Sequence, residues 1–197
     1  MNSSVLARRP RFWLRTSIAV GNLLQLAITV LGAALLIAAA RVAPLQPSLA
    51  VGIMVLGWLC VYVSSHAIAH WAVGRVGGIR FVGYGISGTD HPEIYPPGVR
   101  QIFSALPFFT ALTDQASLAR AGRWSRALMF GAGVTSTTLS SIVFAALALA
   151  LGVPGARPLL TTTVLVAVAA TVVTARVPRG DYAKARLALR LPRKGWA

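Results

Sequence analysis

The apolar residues of this chain are gathered into four long runs, separated by two short loops and one long, more polar segment. The runs cover residues 16–40, 49–73, 127–151 and 159–175. A helix needs about 20 apolar residues to cross the hydrocarbon core of a bilayer, and the last run lies at the short end of the usual range. The pattern predicts an all-α polytopic membrane protein with four transmembrane helices, in which residues 1–197 form a single membrane domain.

The long segment, residues 74–126, lies between the second and third runs and is too long for a plain connection. Its first part, residues 77–86, is rich in glycine and alternates between apolar and polar positions, which predicts one or two short strands. A turn-forming loop over residues 88–98 follows. We therefore expect a small strand and loop region at the cytoplasmic membrane surface.

Three further stretches suggest structure outside the spans. Residues 99–112 are apolar but contain Pro107, which favours either a re-entrant stretch or a short interfacial helix. Residues 114–126 are predicted to be helical, with Asp114 either capping that helix or pairing with an arginine. Residues 181–191 have an apolar residue at every fourth position and basic residues elsewhere, which predicts an interfacial amphipathic helix.

The composition agrees with a membrane protein, and the distribution of the basic residues along the chain explains the high net charge. Hydrophobic residues make up 56% of the chain, charged residues 12%, and the mean hydropathy is +0.69. The net charge of +15 would suit nucleic acid, but no motif of interleaved aromatic and basic residues accompanies it. With a cytoplasmic N-terminus, every Lys and Arg except Arg41 and Arg157 lies inside, as the positive-inside rule requires. The sequence thus predicts a multi-pass protein of the cytoplasmic membrane with both termini cytoplasmic, in contact with anionic lipid headgroups and without a nucleic-acid partner.

Two histidines, His66 and His70, lie inside the second apolar run. Four residues apart on a helix, their rings project from the same face, as two ligands of one metal ion must. A polar pair at that depth has to be satisfied by protein groups, a metal ion or water. Three uses follow: hydrogen bonds to neighbouring helices, shared ligation of a metal ion, or axial ligation of a haem or chlorophyll-type pigment by either histidine.

The histidine segment also carries a resemblance to a known family. Residues 66–70 read His-Ala-Ile-Ala-His and are followed by Gly-Ile-Arg-Phe at residues 78–81. This order resembles the metal-binding helix of the site-2 proteases, which are intramembrane zinc metalloproteases, and the membrane-associated hairpin that follows it. Ala67 stands where the family has the glutamate that activates water.

Two later segments match the same family in the same order. Arg126-Ala127 before a glycine resembles the start of the family's next core helix, where Gly133 and Thr137 would take the first and last places of Gly-Pro-x-x-Asn. After the last run, Pro178-Arg179-Gly180-Asp181 stands where the family has the segment whose aspartate is its third zinc ligand. The resemblance therefore spans residues 50–186 as an order of elements.

The resemblance implies that His66, His70 and Asp181 bind zinc and leave a fourth position for water. Without a carboxylate beside that water, proton transfer loses a factor of roughly 10² to 10⁴ in rate. The expectation is a pseudoprotease: a non-hydrolytic binding protein or structural subunit of a membrane complex. Its expected partner is a segment of a membrane protein or a lipid.

The loop at residues 88–98 holds the residues that could change this interpretation. Glu93, or less readily Asp90, could fold over the site and act as the base of an active metalloprotease. His91 could replace Asp181 as the third ligand. The alternative for the whole loop is a solvated turn.

The third apolar run is dense in small and hydroxyl residues, which permit close helix packing and hydrogen bonds between helices. The alternative is a polar groove for an unwound peptide. These residues are Gly131, Ala132, Gly133, Thr135, Ser136, Thr137, Thr138, Ser140 and Ser141.

Overall fold

The computed structural model describes residues 12–88, 97–177 and 180–190. Four of its helices are long and apolar enough to cross a membrane. In chain order the elements are β1 (Leu14–Thr16), α1 (Ile18–Val42), α2 (Pro47–Val76), β2 (Phe81–Ser87), α3 (Val99–Ala105), β3 (Phe108–Thr113), α4 (Gln115–Arg120), α5 (Arg123–Ala150), α6 (Ala156–Arg176) and α7 (Asp181–Arg190). The prediction of an all-α polytopic membrane protein is confirmed, with α1, α2, α5 and α6 as its four spans.

The ends of the long helices differ by up to four residues from those of the apolar runs that predicted them. Ser17 caps α1 by accepting a hydrogen bond from the Val20 N–H at 3.3 Å. Pro47 stands at the first turn of α2, where its missing N–H costs nothing. The third span begins at Arg123, earlier than the predicted residue 127, because basic residues can continue a helix past the hydrocarbon core. Hydropathy thus located each span but not each helix end.

A small antiparallel sheet of order β1-β2-β3 packs against α1 and α2. The strand predicted within residues 77–86 is confirmed as β2, which is the central strand. Its Tyr84 is fully buried and donates a hydrogen bond from its hydroxyl to the Asn22 side-chain oxygen at 2.6 Å. This contact fixes the sheet against the start of α1, so that the sheet covers one end of the helical bundle.

The apolar stretch 99–112 forms a short helix followed by a strand. The prediction of a re-entrant stretch or a short interfacial helix was therefore incomplete, because it did not include the strand. Leu106, which precedes Pro107, has an extended backbone because the proline ring disfavours the helical conformation there. Beyond the proline, β3 pairs with β2 as an edge strand. Asp114 then caps α4, as predicted, by accepting a hydrogen bond from the Ser117 N–H at 2.8 Å.

Small residues and hydroxyl pairs hold the spans together. A Cβ atom added at Gly32 of α1 would lie 2.8 Å from the Gly57 carbonyl oxygen of α2, so these two backbones approach closely. The Ser140 hydroxyl of α5 donates to the Ser65 hydroxyl of α2 at 3.1 Å. In contrast, α6 packs on α5 and α7 and is largely exposed to its surroundings. The core of the bundle therefore lies along α1, α2 and α5.

Candidate metal centre

Two helices that are distant in the sequence bring the predicted ligands together. His66 and His70 lie one turn apart on α2, and Asp181 is the first residue of α7. After α6 ends at Arg176, α7 packs on α5 and α6, and its first residue reaches the histidines of α2. The structure thus brings together the three residues that the family resemblance selected.

The three ligand atoms form a nearly equilateral triangle. The His66 Nε2 atom lies 3.2 Å from the Asp181 Oδ2 atom, and the His70 Nε2 atom lies 3.4 Å from the same oxygen. The two Nε2 atoms are 3.2 Å apart. A tetrahedral zinc ion with bonds of about 2.0 to 2.1 Å separates its ligand atoms by about 3.3 Å. One metal ion could therefore be held by all three residues.

The Nδ1 atoms of both histidines have hydrogen-bond partners that determine whether these nitrogens carry a hydrogen. His70 Nδ1 lies 2.6 Å from the Met129 carbonyl oxygen, which can only accept, so this nitrogen carries the hydrogen. His66 Nδ1 lies 3.2 Å from the Thr137 hydroxyl, which donates its own hydrogen to the Gly133 carbonyl at 3.1 Å. The Thr137 oxygen must then accept from His66. In its neutral form, each ring then presents an Nε2 lone pair to the centre of the triangle.

Asp181 completes a set of three acceptors. Burial raises the pKa of the Asp181 carboxyl, but contact with His66 and His70 outweighs this when their Nε2 atoms carry hydrogen, and holds the pKa well below its usual range. The carboxyl group is therefore ionised at neutral pH. When the Nε2 atoms carry no hydrogen, two lone pairs and a carboxylate oxygen converge on one point, an arrangement that a cation stabilises.

A cavity of about 260 Å³, here called the metal-site cavity, opens beside the triangle. Within the described part of the chain, Asp181 is the only carboxylate in its wall. Lys184, which the sequence reasoning missed, also lines it, with Nζ 3.7 Å from Asp181 Oδ1. The only available sequence signal was its spacing of three residues from Asp181 on a helix. The remaining wall is formed by Phe81, Phe109, Thr110, Ala111, Thr113, Met129 and Phe130.

Ala67 does not face an open space suited to a carboxylate. Its side chain is fully buried in an apolar cluster with Tyr84 of β2 and Phe109 of β3. The sheet thus packs over the position at which the site-2 proteases have their glutamate. Described residues offer no substitute for that base in the wall of the metal-site cavity.

A second cavity of about 250 Å³, here called the hydroxyl cavity, lies between α2, α5 and α6. It shares His66, Phe109 and Thr110 with the metal-site cavity. Three polar groups along it are buried and find no hydrogen-bond partner among the described residues: Trp58 Nε1, Ser141 Oγ and Thr163 Oγ1. The hydroxyl residues of the third span therefore serve two purposes, since Ser140 joins helices while Thr137, Thr138 and Ser141 line a cavity.

The loop candidates Asp90, His91 and Glu93 lie outside the described residues, as do Pro178 and Arg179. The proposals that Glu93 is a base and that His91 is a ligand stay predictions. Ligation of a haem or chlorophyll-type pigment by His66 or His70 likewise stays a prediction.

The fold and the site together define a polytopic membrane protein with a His-His-Asp cluster that could hold a metal ion. Comparisons of the chain with protein-family models, curated proteins and solved structures found no match. The resemblance to the site-2 proteases therefore rests on the motifs of the sequence.

Proposed function

We propose that His66, His70 and Asp181 bind a zinc ion, and that the protein is a site-2-protease-like pseudoprotease that binds a membrane-protein segment without cleaving it. The observation that carries the proposal is the triangle of ligand atoms, with sides of 3.2, 3.2 and 3.4 Å. Two imidazole nitrogens and one carboxylate oxygen are a donor set that zinc accepts, with a fourth position left open.

The surroundings of Ala67 support binding over hydrolysis. A catalytic carboxylate would have to enter an apolar cluster formed by Tyr84 and Phe109. Burial of an unpaired charge there is unfavourable, so the sheet and a base compete for the same space. An ion held without a neighbouring base can still bind a ligand or fix the geometry of the helices.

The edge strand β3 supports a polypeptide as the bound partner. In the described sheet, β3 is an edge strand that pairs with β2. Its Phe109 and Thr110 line both cavities. An extended peptide can add to such an edge through main-chain hydrogen bonds. The partner would thereby lie beside the metal ion, at the cytoplasmic face of a cytoplasmic membrane as the positive-inside rule predicts.

Metal analysis of the purified full-length protein tests the proposal. We expect about one zinc ion per chain in the wild type, and its loss in His66→Ala and in Asp181→Asn. Asp114→Asn is the matched control, because it also removes a carboxylate while asparagine still caps α4. A wild-type protein without metal would refute the zinc site. Zinc lost in His91→Ala but retained in Asp181→Asn would assign the third ligand to the loop.

An active metalloprotease is the second candidate, and one observation favours it. Gly88, the last described residue before the loop that contains Glu93, lines the hydroxyl cavity together with His66. Zinc-dependent cleavage of a membrane substrate that is lost in Glu93→Gln would establish this candidate and overturn the non-hydrolytic proposal.

A further inference from the structure

Lys184 places a positive charge beside the ligand triangle. It lies one turn after Asp181 on α7, with Nζ 3.7 Å from Asp181 Oδ1 and 5.9 Å from the centre of the Phe130 ring. A separation of 3.7 Å is too long for a hydrogen bond, so the ammonium hydrogens are not committed to that carboxylate oxygen. They remain available to a ligand in the metal-site cavity.

The two oxygens of Asp181 face different groups. Oδ2 contacts both histidine Nε2 atoms, whereas Oδ1 lies near Lys184. The carboxylate therefore bridges the ligand triangle and the ammonium group. A ligand that reaches the open metal position enters the cavity that Lys184 also lines.

The charge of this cavity would be positive once a divalent ion is bound. Asp181 is the single carboxylate among the described residues of its wall, and Lys184 offsets that charge. The alanine at position 67 removes the negative charge that a catalytic glutamate would supply. Aromatic rings and a methionine form much of the remaining wall, and this low-dielectric surrounding strengthens electrostatic attraction. The site is thus suited to an anion as its fourth metal ligand.

We propose that the fourth metal ligand is a carboxylate of the bound partner segment, with one oxygen on the ion and the other on Lys184 Nζ. This inference rests on the proposed function, since it presupposes the metal ion and a polypeptide partner. A carboxylate suits the site because its two oxygens can bridge two nearby cations, and because the neighbouring edge strand β3 is suited to a peptide. Phosphate is the competing oxyanion.

The test uses Co²⁺ bound to the full-length protein in detergent, because its visible absorption reports changes in the ligands of the ion. Acetate and inorganic phosphate are titrated separately at constant pH and ionic strength. A blocked tripeptide with a central glutamate is then compared with its glutamine counterpart. We expect acetate and the glutamate peptide to change the spectrum at saturable concentrations, with acetate tighter than phosphate and no change from the glutamine peptide.

Variants of α7 separate the role of Lys184 from that of the metal ion. Lys184→Met should retain Co²⁺ but bind acetate about tenfold more weakly, and Lys184→Arg should restore most of the affinity. Arg190→Gln is the matched control, because it removes an exposed charge from the same helix and should leave acetate binding unchanged.

Three results would overturn the carboxylate site while leaving the metal site intact. They are Co²⁺ binding without any spectral response to acetate, tighter binding of phosphate than of acetate, and equal acetate affinity in wild type and Lys184→Met. Absence of Co²⁺ and of zinc from the wild-type protein would instead refute the proposed function itself.

Discussion

At Gly133, α5 passes the histidine pair so closely that there is no room for a methyl group. A Cβ atom at this position would lie 2.2 Å from His70 Nε2 and 2.8 Å from His66 Cε1. The carbonyl of the same glycine accepts the hydrogen of Thr137, whose oxygen in turn orients His66. Gly133 therefore leaves space for both rings and takes part in fixing which nitrogen of His66 carries a hydrogen.

We expect Gly133→Ala to displace the imidazoles and to lower metal affinity at least about tenfold, at an overpacking cost of about 1 to 3 kcal/mol. Gly131→Ala is the matched control on the same helix, since its Cβ would come no closer than 3.8 Å to Tyr182. Competition with a chromophoric chelator measures the affinity. Equal affinities for the two variants would show that the close contact at Gly133 has no effect on the site.

The three candidate ligands could be found in the sequence, but their supporting groups could not. His66 and His70 have a helical spacing, and Asp181 follows the last apolar run in the order of a known family. The Met129 carbonyl that orients His70 is a main-chain group, so no residue type signals it. Lys184 resembled any basic residue of an interfacial helix until its distance from Asp181 was known.

Among the elements, the small sheet gives the most support to the proposed non-hydrolytic function. It packs against α2 at Ala67, where Tyr84 and Phe109 complete an apolar cluster. Its edge strand also forms part of the wall of both cavities. Strands β2 and β3 therefore close the position of a base, and β3 also offers an edge to a polypeptide.

A glutamate at position 67 should consequently not restore hydrolysis by itself. We expect Ala67→Glu to lower the free energy of unfolding by about 3 kcal/mol or more, because it buries an unpaired charge. Ala72→Glu, at an exposed position of the same helix, should cost much less. Thermal denaturation in detergent compares the two variants. A stable Ala67→Glu protein that cleaves a membrane substrate would show that the sheet can move away from α2.

The prediction of secondary structure succeeded where a pattern extends over many residues. It failed where a strand forms by pairing with a segment that is distant in the sequence. The long apolar runs identify the four spans without reference to the rest of the chain. Strand β1 has only three residues, and its pairing of Leu14 with Ile86 joins segments that flank the whole first hairpin. The division of residues 99–112 into α3 and β3 likewise depends on pairing with β2, which local hydropathy does not encode.

In the whole molecule, the short loops that join α1 to α2 and α5 to α6 lie at one end of the bundle. The metal site and the sheet lie at the other end. Arg41 and Arg157 are near the loop end. The remaining described basic residues lie towards the site end, from Arg15 in β1 to Arg190 in α7. This asymmetry supports the proposal that the site faces the cytoplasm.

Labelling of single cysteines in intact cells tests this orientation. In a Cys60→Ala background, a membrane-impermeant maleimide should label Leu45→Cys, which lies in an exposed loop, but not Arg190→Cys. Both should react after lysis. The reverse pattern in intact cells would place the metal site on the outer face and refute the proposed topology.

Helix α6 has few buried residues and packs on α5 and α7. Asp181, at the start of α7, connects the end of the chain that follows α6 to the histidines of α2. A shared ion would therefore act as a removable cross-link that closes a chain loop containing all of α5 and α6. The availability of metal would then determine how firmly α6 is held opposite α2. Because these two helices form opposite walls of the hydroxyl cavity, it would also determine the width of that cavity.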